Sequence, residues 1–189
     1  MPDLKIRRAD REDAQFLVPL IDRATEGLAK HMWAELAAPG QDAWGFALDR
    51  VQGEEAGISY TKAWVAETDA GRSGCLITHG IPDHPEKIDD ATPAAFRPLL
   101  ELEHEAPGTG YIFVLSTLAD QRGQGIGSAL LGFAEQFRGP NGMSLVVADN
   151  NTRARALYER MGYRASATRA MVKNGWQSDG TRWVLMIKE

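Results

Sequence analysis

The segment 121–131, with the sequence QRGQGIGSALL, constrains the fold more than any other part of this 189-residue chain. It places Gly123, Gly125 and Gly127 at alternate positions directly before an apolar helical pattern. Glycine has no Cβ, so the backbone can adopt left-handed angles there and another group can approach it closely. The pattern therefore predicts a tight turn that leads at once into a helix.

The elements on either side of the glycines define the kind of site they form. Apolar residues downstream recur at helical spacing, at Ile126, Leu130, Phe133, Ala134 and Phe137. Upstream, the β-branched and aromatic residues of YIFVLST, 111–117, predict a buried strand. The first N–H groups of a helix lack partners within the helix, and the helix dipole adds about half a positive charge there. Strand, glycine turn and helix N-terminus together predict a phosphate-binding loop.

Two well-known phosphate loops have a different spacing. A P-loop requires Lys and then Ser or Thr after its last glycine, whereas Gly127 is followed by Ser128 and Ala129. A dinucleotide-binding loop requires G-x-G-x-x-G after the first strand of its domain, whereas this motif lies in the second half of the chain. The spacing excludes the first loop and disfavours the second.

A second motif follows after one more strand. GPNG at 139–142 predicts a turn, SLVVAD at 144–149 a strand, and the residues from Asn150 onward a helix. Asn151 and Tyr158 are seven positions apart, so both lie on one helical face. Asn150 or Asn151 suits the N-cap, and Gly162 suits the left-handed residue after the helix.

From Tyr111 to the C-terminus, both motifs resemble the signatures of the GNAT superfamily, the acetyl-CoA-dependent N-acetyltransferases. Arg122, Gly125 and Gly127 match the Q/R-x-x-G-x-G/A pattern whose amides bind the coenzyme A pyrophosphate in that family. The resemblance implies a set of coenzyme-binding residues: Leu115, Ser116, Thr117, Arg122, Gly123, Gln124, Gly125, Ile126, Gly127, Ser128 and Asn151. It also implies that Tyr158 is the general acid that protonates the departing thiolate, although Tyr158 could instead be a packing residue of its helix.

The general base is less clearly marked. Some family members that acetylate protein N-termini carry a Glu at the position occupied here by Val146. The remaining candidates are Glu101, Glu103 and His104, just ahead of the strand 111–117, and Asp149, and each could equally be a solvated charge or a turn cap. We predict Glu103 as the base, acting directly or through water.

The predicted fold class is α/β, with a GNAT-like mixed, mostly antiparallel central sheet and helices on both faces. The element order implied by the resemblance is β-α-α-β-β-β-α-β-α-β-β. Periodicity and turn residues predict the individual elements: strands at 4–10, 61–68, 72–80, 163–173 and 181–189, and helices at 10–25, 29–37 and 42–52. The chain 1–189 is predicted to be one domain with an irregular insertion at about 80–110, which is a candidate wall of the acceptor site.

Composition excludes several other classes of function. A net charge of −5 argues against nucleic-acid binding, and one cysteine and four scattered histidines indicate neither disulfides nor a metal site. No apolar run is long enough to span a bilayer and the first residues do not resemble a signal peptide, so we expect a cytoplasmic protein that does not bind membranes. The predicted partners are acetyl-CoA as co-substrate, a small-molecule primary amine as acceptor and, as a candidate, a second copy of the chain in a homodimer.

Two alternatives remain at this point. One is a protein or peptide N-acetyltransferase, against which Val146 and the insertion argue. The other is a non-catalytic acyl-CoA-binding sensor that has kept the pyrophosphate loop. Tyr158 discriminates against the sensor, because a protein that only binds the coenzyme needs no acid at that position.

Overall fold

The structure is a computed structural model that describes residues 4–54 and 57–189. The strands in these ranges are β1 (Lys5–Arg8), β2 (Ala63–Thr68), β3 (Gly71–Gly80), β4 (Gly110–Thr117), β5 (Met143–Ala148), β6 (Arg164–Ala170) and β7 (Arg182–Lys188). The α-helices are α1 (Ala14–Ala24), α2 (Leu28–Leu36), α3 (Ala43–Gln52), α4 (Arg97–Glu103), α5 (Ile126–Ala134) and α6 (Thr152–Arg160).

The strands form a seven-stranded sheet in the order β1-β2-β3-β4-β5-β7-β6. The pairs β1–β2, β2–β3, β5–β7 and β6–β7 are antiparallel, and β4 pairs in parallel with β5 through Gly110↔Met143 and Ile112↔Leu145. This confirms the prediction of a mixed, mostly antiparallel sheet in an α/β fold.

The chain divides into two compact units. The N-terminal unit holds Met1–Ile77 and Val114–Gly132, and the C-terminal unit holds Thr78–Phe113 and Phe133–Glu189. The prediction of one domain over 1–189 includes residues 1–3, 55 and 56, which lie outside the described residues, and it stays a prediction.

In the N-terminal unit, a capped 3-10 turn leads into α1, within the helix predicted at 10–25. Asp10 accepts hydrogen bonds from the backbone N–H groups of Glu12 and Asp13, and Asp13 reciprocates, which forms a capping box on a short 3-10 turn before α1. Leu17 and Ile21 of α1 are fully buried. Because these apolar residues repeat at helical spacing, one face of α1 contributes to the core, while the Asp10 cap satisfies amides of the preceding 3-10 turn.

In the C-terminal unit, β5, β7 and β6 are arranged as an antiparallel group against which α4 packs. Leu145 lies opposite Met186, and both side chains are buried. The loop between β6 and β7 folds back so that the rings of Trp176 and Trp183 stack with their centroids 5.8 Å apart. α4 thus packs on strands whose side chains belong to the core of this unit.

Two helices extend the predicted element order. The helix predicted at 42–52 exists as α3, with Asp42 as its N-cap, so three helices rather than two precede β2. The region 80–110, predicted as an irregular insertion, contains the short helix α4. Seven residues are too few to show helical periodicity, and Pro98 lies in the first turn, where proline is tolerated in a helix.

Candidate functional site

The glycine loop has the backbone that its sequence predicts. Gly123 and Gly125 have φ of 84° and 85°, in the left-handed region, whereas Gly127 lies in the first turn of α5. The carbonyl of Gly125 accepts the N–H of Ala129 at 3.0 Å, so Gly125 is the N-cap of α5. The N–H groups of Ile126, Gly127 and Ser128 precede that first intrahelical donor, and they form an amide-rich helix end of the kind that binds anions in proteins.

Burial separates the two faces of this segment. Ile126 and Leu130 are almost fully buried, whereas Arg122, Gln124 and Ser128 are exposed. The apolar residues therefore hold α5 in place, and the polar residues lie where a ligand could reach them. The prediction that the glycines lead into an amphipathic helix is confirmed.

The end of β4 presents its backbone in two directions. Leu118 N–H donates to the carbonyl of Ser73 on β3 at 2.9 Å, and the backbone of Ser116 interacts with the thiol of Cys75, also on β3. Backbone groups alternate in direction along a strand, so the N–H groups of Leu115 and Thr117 are directed away from β3. Of the three predicted pantetheine-binding positions, Leu115 and Thr117 are thus the two whose amides do not face β3.

Gly74 on β3 allows the close approach of that strand to β4 and α5. A Cβ at this position would lie 2.8 Å from the carbonyl oxygen of Ser116 and 3.3 Å from a methyl group of Ile126. The first contact is with backbone, which cannot move aside as a flexible side chain could. The glycine thus determines where both the end of β4 and the start of α5 are held.

We expect Gly74→Ala to lower the free energy of unfolding by roughly 2 kcal/mol, because the added methyl group overpacks this contact. Gly80→Ala is the matched control, since Gly80 lies on the same strand and a Cβ there meets nothing within 4 Å. Urea denaturation of both variants measures the difference. Equal midpoints would contradict the importance of the Gly74 contact.

Tyr158 lies on α6 in the C-terminal unit. Asn151 caps this helix, its Oδ1 accepting the N–H of Ala154 at 3.2 Å, and Gly162 follows the helix with φ of 94°. Both sequence predictions about the ends of this helix are therefore confirmed. Tyr158 is the buried residue of α6, with 7% of its surface exposed, and its ring meets the ring of Tyr163 edge to face at 6.1 Å.

A pair of tyrosines and a carboxyl group interact near α4. Burial raises the pKa of Tyr158 to about 12, so the phenol keeps its proton at neutral pH. The pKa of Tyr111, on β4, is raised well above 10 by burial, by Glu103 and by Tyr158. Tyr111 therefore lies within electrostatic reach of both predicted catalytic groups, and sequence reasoning did not identify it.

Glu103, at the end of α4, has the titration expected of a base at neutral pH. Burial raises the pKa of its carboxyl group to about 7, and the interaction with the Tyr111 hydroxyl offsets part of that rise. A carboxyl group with a pKa near 7 is half ionised at neutral pH, where it can both accept and return a proton. The pKa is raised because the fold removes most of the Glu103 carboxyl group, at the end of α4, from water.

The other candidate bases are Glu101, which forms an ion pair, Asp149, which accepts hydrogen bonds in a turn, and His104, which lines a cavity. Glu101 pairs with Arg169, with 3.2 Å between Oε2 and Nε. Hydrogen bonds from Thr181 lower the pKa of Asp149 to about 2, so this carboxylate is a turn cap rather than a base. His104 lines the cavity described next.

The insertion encloses a cavity of about 340 Å³ within the C-terminal unit. Apolar side chains that include Ile81, Ile88 and Leu100 line it together with Glu103. Its size is at the lower end of the range for small-molecule sites. Sequence reasoning predicted the insertion as a candidate wall of the acceptor site, but nothing in the sequence indicated which of its residues enclose a cavity.

Two properties concern metals and membranes. Among residues 4–54 and 57–189, no three His, Cys, Asp or Glu side chains are grouped so that they could hold a metal ion. In the same ranges, none of the helices has the length and apolar character that a membrane crossing requires.

Comparison with known protein families gives one match. The model of the acetyltransferase (GNAT) family matches residues 25–163, which include the glycine loop, Glu103 and Tyr158. A search of curated proteins finds no match.

Solved structures show the same fold. An N-acetyltransferase from Staphylococcus aureus Mu50 is 17% identical, with a TM-score of 0.60 over 97% of this chain and 99% of that one. The ribosomal-protein-S18-alanine N-acetyltransferase from Escherichia coli is 17% identical, with a TM-score of 0.55 over 98% of this chain and 95% of that one. NAA60 from Arabidopsis thaliana, in complex with a bisubstrate analogue, is 17% identical, with a TM-score of 0.57 over 98% and 97%. At these identities the similarity extends to the fold alone.

Proposed function

Since the chain belongs to the GNAT acetyltransferase family, we propose that it transfers the acetyl group of acetyl-CoA to the primary amine of a small molecule. The backbone of the glycine loop is the observation that carries this proposal. Gly123 and Gly125 hold left-handed angles immediately before α5, which leaves the N-terminal amides of that helix for a pyrophosphate.

The remaining coenzyme contacts follow from the ends of the elements. Exposed Arg122, Gln124 and Ser128 surround the loop, and Arg122 adds a positive charge for the phosphates. The amide of Leu115 or Thr117 would bind the pantetheine arm or the acetyl carbonyl oxygen, which becomes negative in the transition state. Ser116 contributes mainly to the sheet. Asn151 contributes by capping α6, the helix that carries Tyr158.

The reaction needs one base and one acid. The amine nitrogen attacks the acetyl carbon after Glu103 has accepted its proton, directly or through water. The carbon–sulfur bond then breaks, and Tyr158 gives its proton to the sulfur of coenzyme A. The nitrogen loses its second proton as the amide forms, and this proton restores Tyr158. Glu103 releases the first proton to solvent, so neither residue changes over a full cycle.

The size of the cavity beside Glu103 supports a small acceptor. About 340 Å³ accommodates a compact amine but only the first residue or two of a polypeptide. The alternatives are a protein or peptide acceptor and a non-catalytic coenzyme sensor. The raised pKa of Glu103 beside a cavity disfavours the sensor, because such a protein has no use for a base with a pKa of about 7.

We expect Gly125→Val to weaken coenzyme A binding by at least about tenfold, because a residue with a β-branched side chain resists left-handed angles and would crowd the pyrophosphate. Gly132→Ala in the same helix is the matched control, since a Cβ there meets nothing within 4 Å. Isothermal titration calorimetry with coenzyme A measures both. Wild-type affinity in Gly125→Val would contradict the assignment of the loop.

The activity itself is tested by release of free thiol from acetyl-CoA in the presence of small amines and short peptides. Transfer to small amines supports the proposed function, and preferential transfer to peptides supports the second candidate. Tight coenzyme binding without thiol release from any acceptor would instead support the sensor.

A further inference from the structure

The cavity within the insertion is lined by both acidic and basic side chains. Its titratable side chains are His79, Glu86, Lys87, Asp89, Glu103 and His104. Three of these are carboxyl groups, one is an ammonium group and two are imidazoles. With both imidazoles neutral, Glu86 and Asp89 outnumber Lys87 even when Glu103 is protonated, so the lining itself is net negative. The guanidinium of Arg97 donates to the Asp89 carbonyl oxygen from outside this lining.

The carboxyl groups lie at different depths. Glu86 and Asp89 are exposed at the mouth, whereas Glu103 is recessed. Local hydrogen bonds hold Asp89 in place: its Oδ1 accepts the hydroxyl of Thr92 at 3.0 Å, and its carbonyl oxygen accepts Nη2 of Arg97 at 2.9 Å. A ligand therefore passes fixed negative charge before it reaches Glu103.

Apolar side chains also line the cavity, among them Ile81, Ile88 and Leu100. The ring of His79, another lining residue, lies against the ring of Tyr111 with 5.2 Å between their centroids. A short hydrocarbon chain fits such walls, and a carboxylate on that chain would lie against the acidic lining.

We propose that this cavity is the acceptor site and that it selects compact, positively charged amines that carry no carboxylate. This inference rests on the proposed function and adds the chemical class of the acceptor. The cationic amine is attracted to Glu86 and Asp89 at the mouth, its chain packs on the apolar walls, and its reacting nitrogen gives a proton to Glu103 before attack.

Three acceptors with the same four-carbon chain test the charge preference: butylamine, 1,4-diaminobutane and 4-aminobutyrate. We expect kcat/KM for thiol release to be lower for 4-aminobutyrate than for butylamine by at least about tenfold, because its carboxylate is repelled. The diamine should be the best acceptor of the three. A preference for 4-aminobutyrate, or for a short peptide, would overturn the inference.

Substitutions at the mouth connect the preference to the cavity. Asp89→Asn should lower kcat/KM for the diamine by roughly two- to fivefold, as expected for one exposed charge, and added salt should reduce the difference. Asp69→Asn, in the exposed turn between β2 and β3, is the matched control and should have no effect. The double variant Glu86→Lys with Asp89→Lys should favour 4-aminobutyrate over butylamine. An unchanged preference in the double variant would show that the acceptor binds elsewhere.

Direct binding separates failure of this inference from failure of the proposed function. Calorimetric titration with 1,4-diaminobutane, in the presence of coenzyme A, measures acceptor binding without turnover. Binding that is lost in the double variant supports the cavity even if no thiol is released, and in that case the proposed function fails alone. Transfer to amines that does not depend on the charges at positions 86 and 89 would contradict the cavity as the acceptor site and leave the proposed function intact.

Discussion

Replacing Tyr158 by Phe is expected to lower kcat by roughly a hundredfold, the lower end of the range for general acid catalysis. The phenol keeps its proton at neutral pH because burial raises its pKa to about 12. A thiolate has a conjugate acid with a pKa of about 8.5, so proton transfer from this phenol is uphill and its contribution is modest. The change should appear in kcat and leave the affinity for coenzyme A within about twofold.

The control for this experiment separates chemistry from packing. Tyr158 is buried against Tyr163, and Phe preserves that ring contact, so the thermal midpoint should stay close to that of the wild type. Tyr158→Leu removes both the ring and the hydroxyl and should lower the midpoint as well as kcat. If Tyr158→Phe turned over as fast as the wild type, Tyr158 would be a packing residue and not the acid.

Glu103→Gln is the second substitution with a large expected effect, again roughly a hundredfold in kcat/KM. In the wild type, kcat/KM should rise with pH through about 7, where the buried carboxyl group ionises. The glutamine variant should lack this limb of the profile. A limb near pH 7 that survives in Glu103→Gln would show that Glu103 is not the base.

The same carboxyl group predicts how stability depends on pH. Its folded-state pKa is raised from 4.5 to about 7, so the folded state holds this proton more tightly than the unfolded state. The free energy of unfolding should therefore fall as the pH rises from about 4.5 to about 7, by up to roughly 3 kcal/mol from this group.

Glu103→Gln should remove that fall. The variant should gain stability relative to the wild type between pH 5 and pH 8, as chemical denaturation at each pH measures. Lower catalytic activity with higher stability at pH 8 distinguishes a base that is costly to bury from a residue that only supports the fold. A variant that is less stable than the wild type at both pH 5 and pH 8 would contradict the burial of an ionisable carboxyl group.

Local patterns predicted the regular elements well, because each depends on neighbours along the chain. Asn150 or Asn151 and Gly162 were predicted as the terminal residues of α6 from residue type and spacing, and Asn151 and Gly162 have those roles. The helix α4 was missed because it has only seven residues and contains Pro98 in its first turn. Its position comes from packing on β5, β6 and β7, which a local pattern does not contain.

The glycine loop was determined by the sequence. Alternating glycines followed by an apolar helical repeat dictate a left-handed turn at a helix N-terminus, and the values of φ at Gly123 and Gly125 agree with this. That local geometry and the second motif were enough to indicate the family, which the match over residues 25–163 confirms.

The surroundings of Glu103 were decided by tertiary structure. Glu101, Glu103 and Glu105 look equivalent in sequence, yet Glu101 and Glu105 pair with Arg169, whereas Glu103 interacts with Tyr111. The enclosing residues of the cavity were likewise not apparent from local patterns. Burial and charge depend on residues that are distant in sequence. A local pattern could therefore determine the glycine loop, whereas the pKa of Glu103 and the net charge of the cavity lining follow from the tertiary structure.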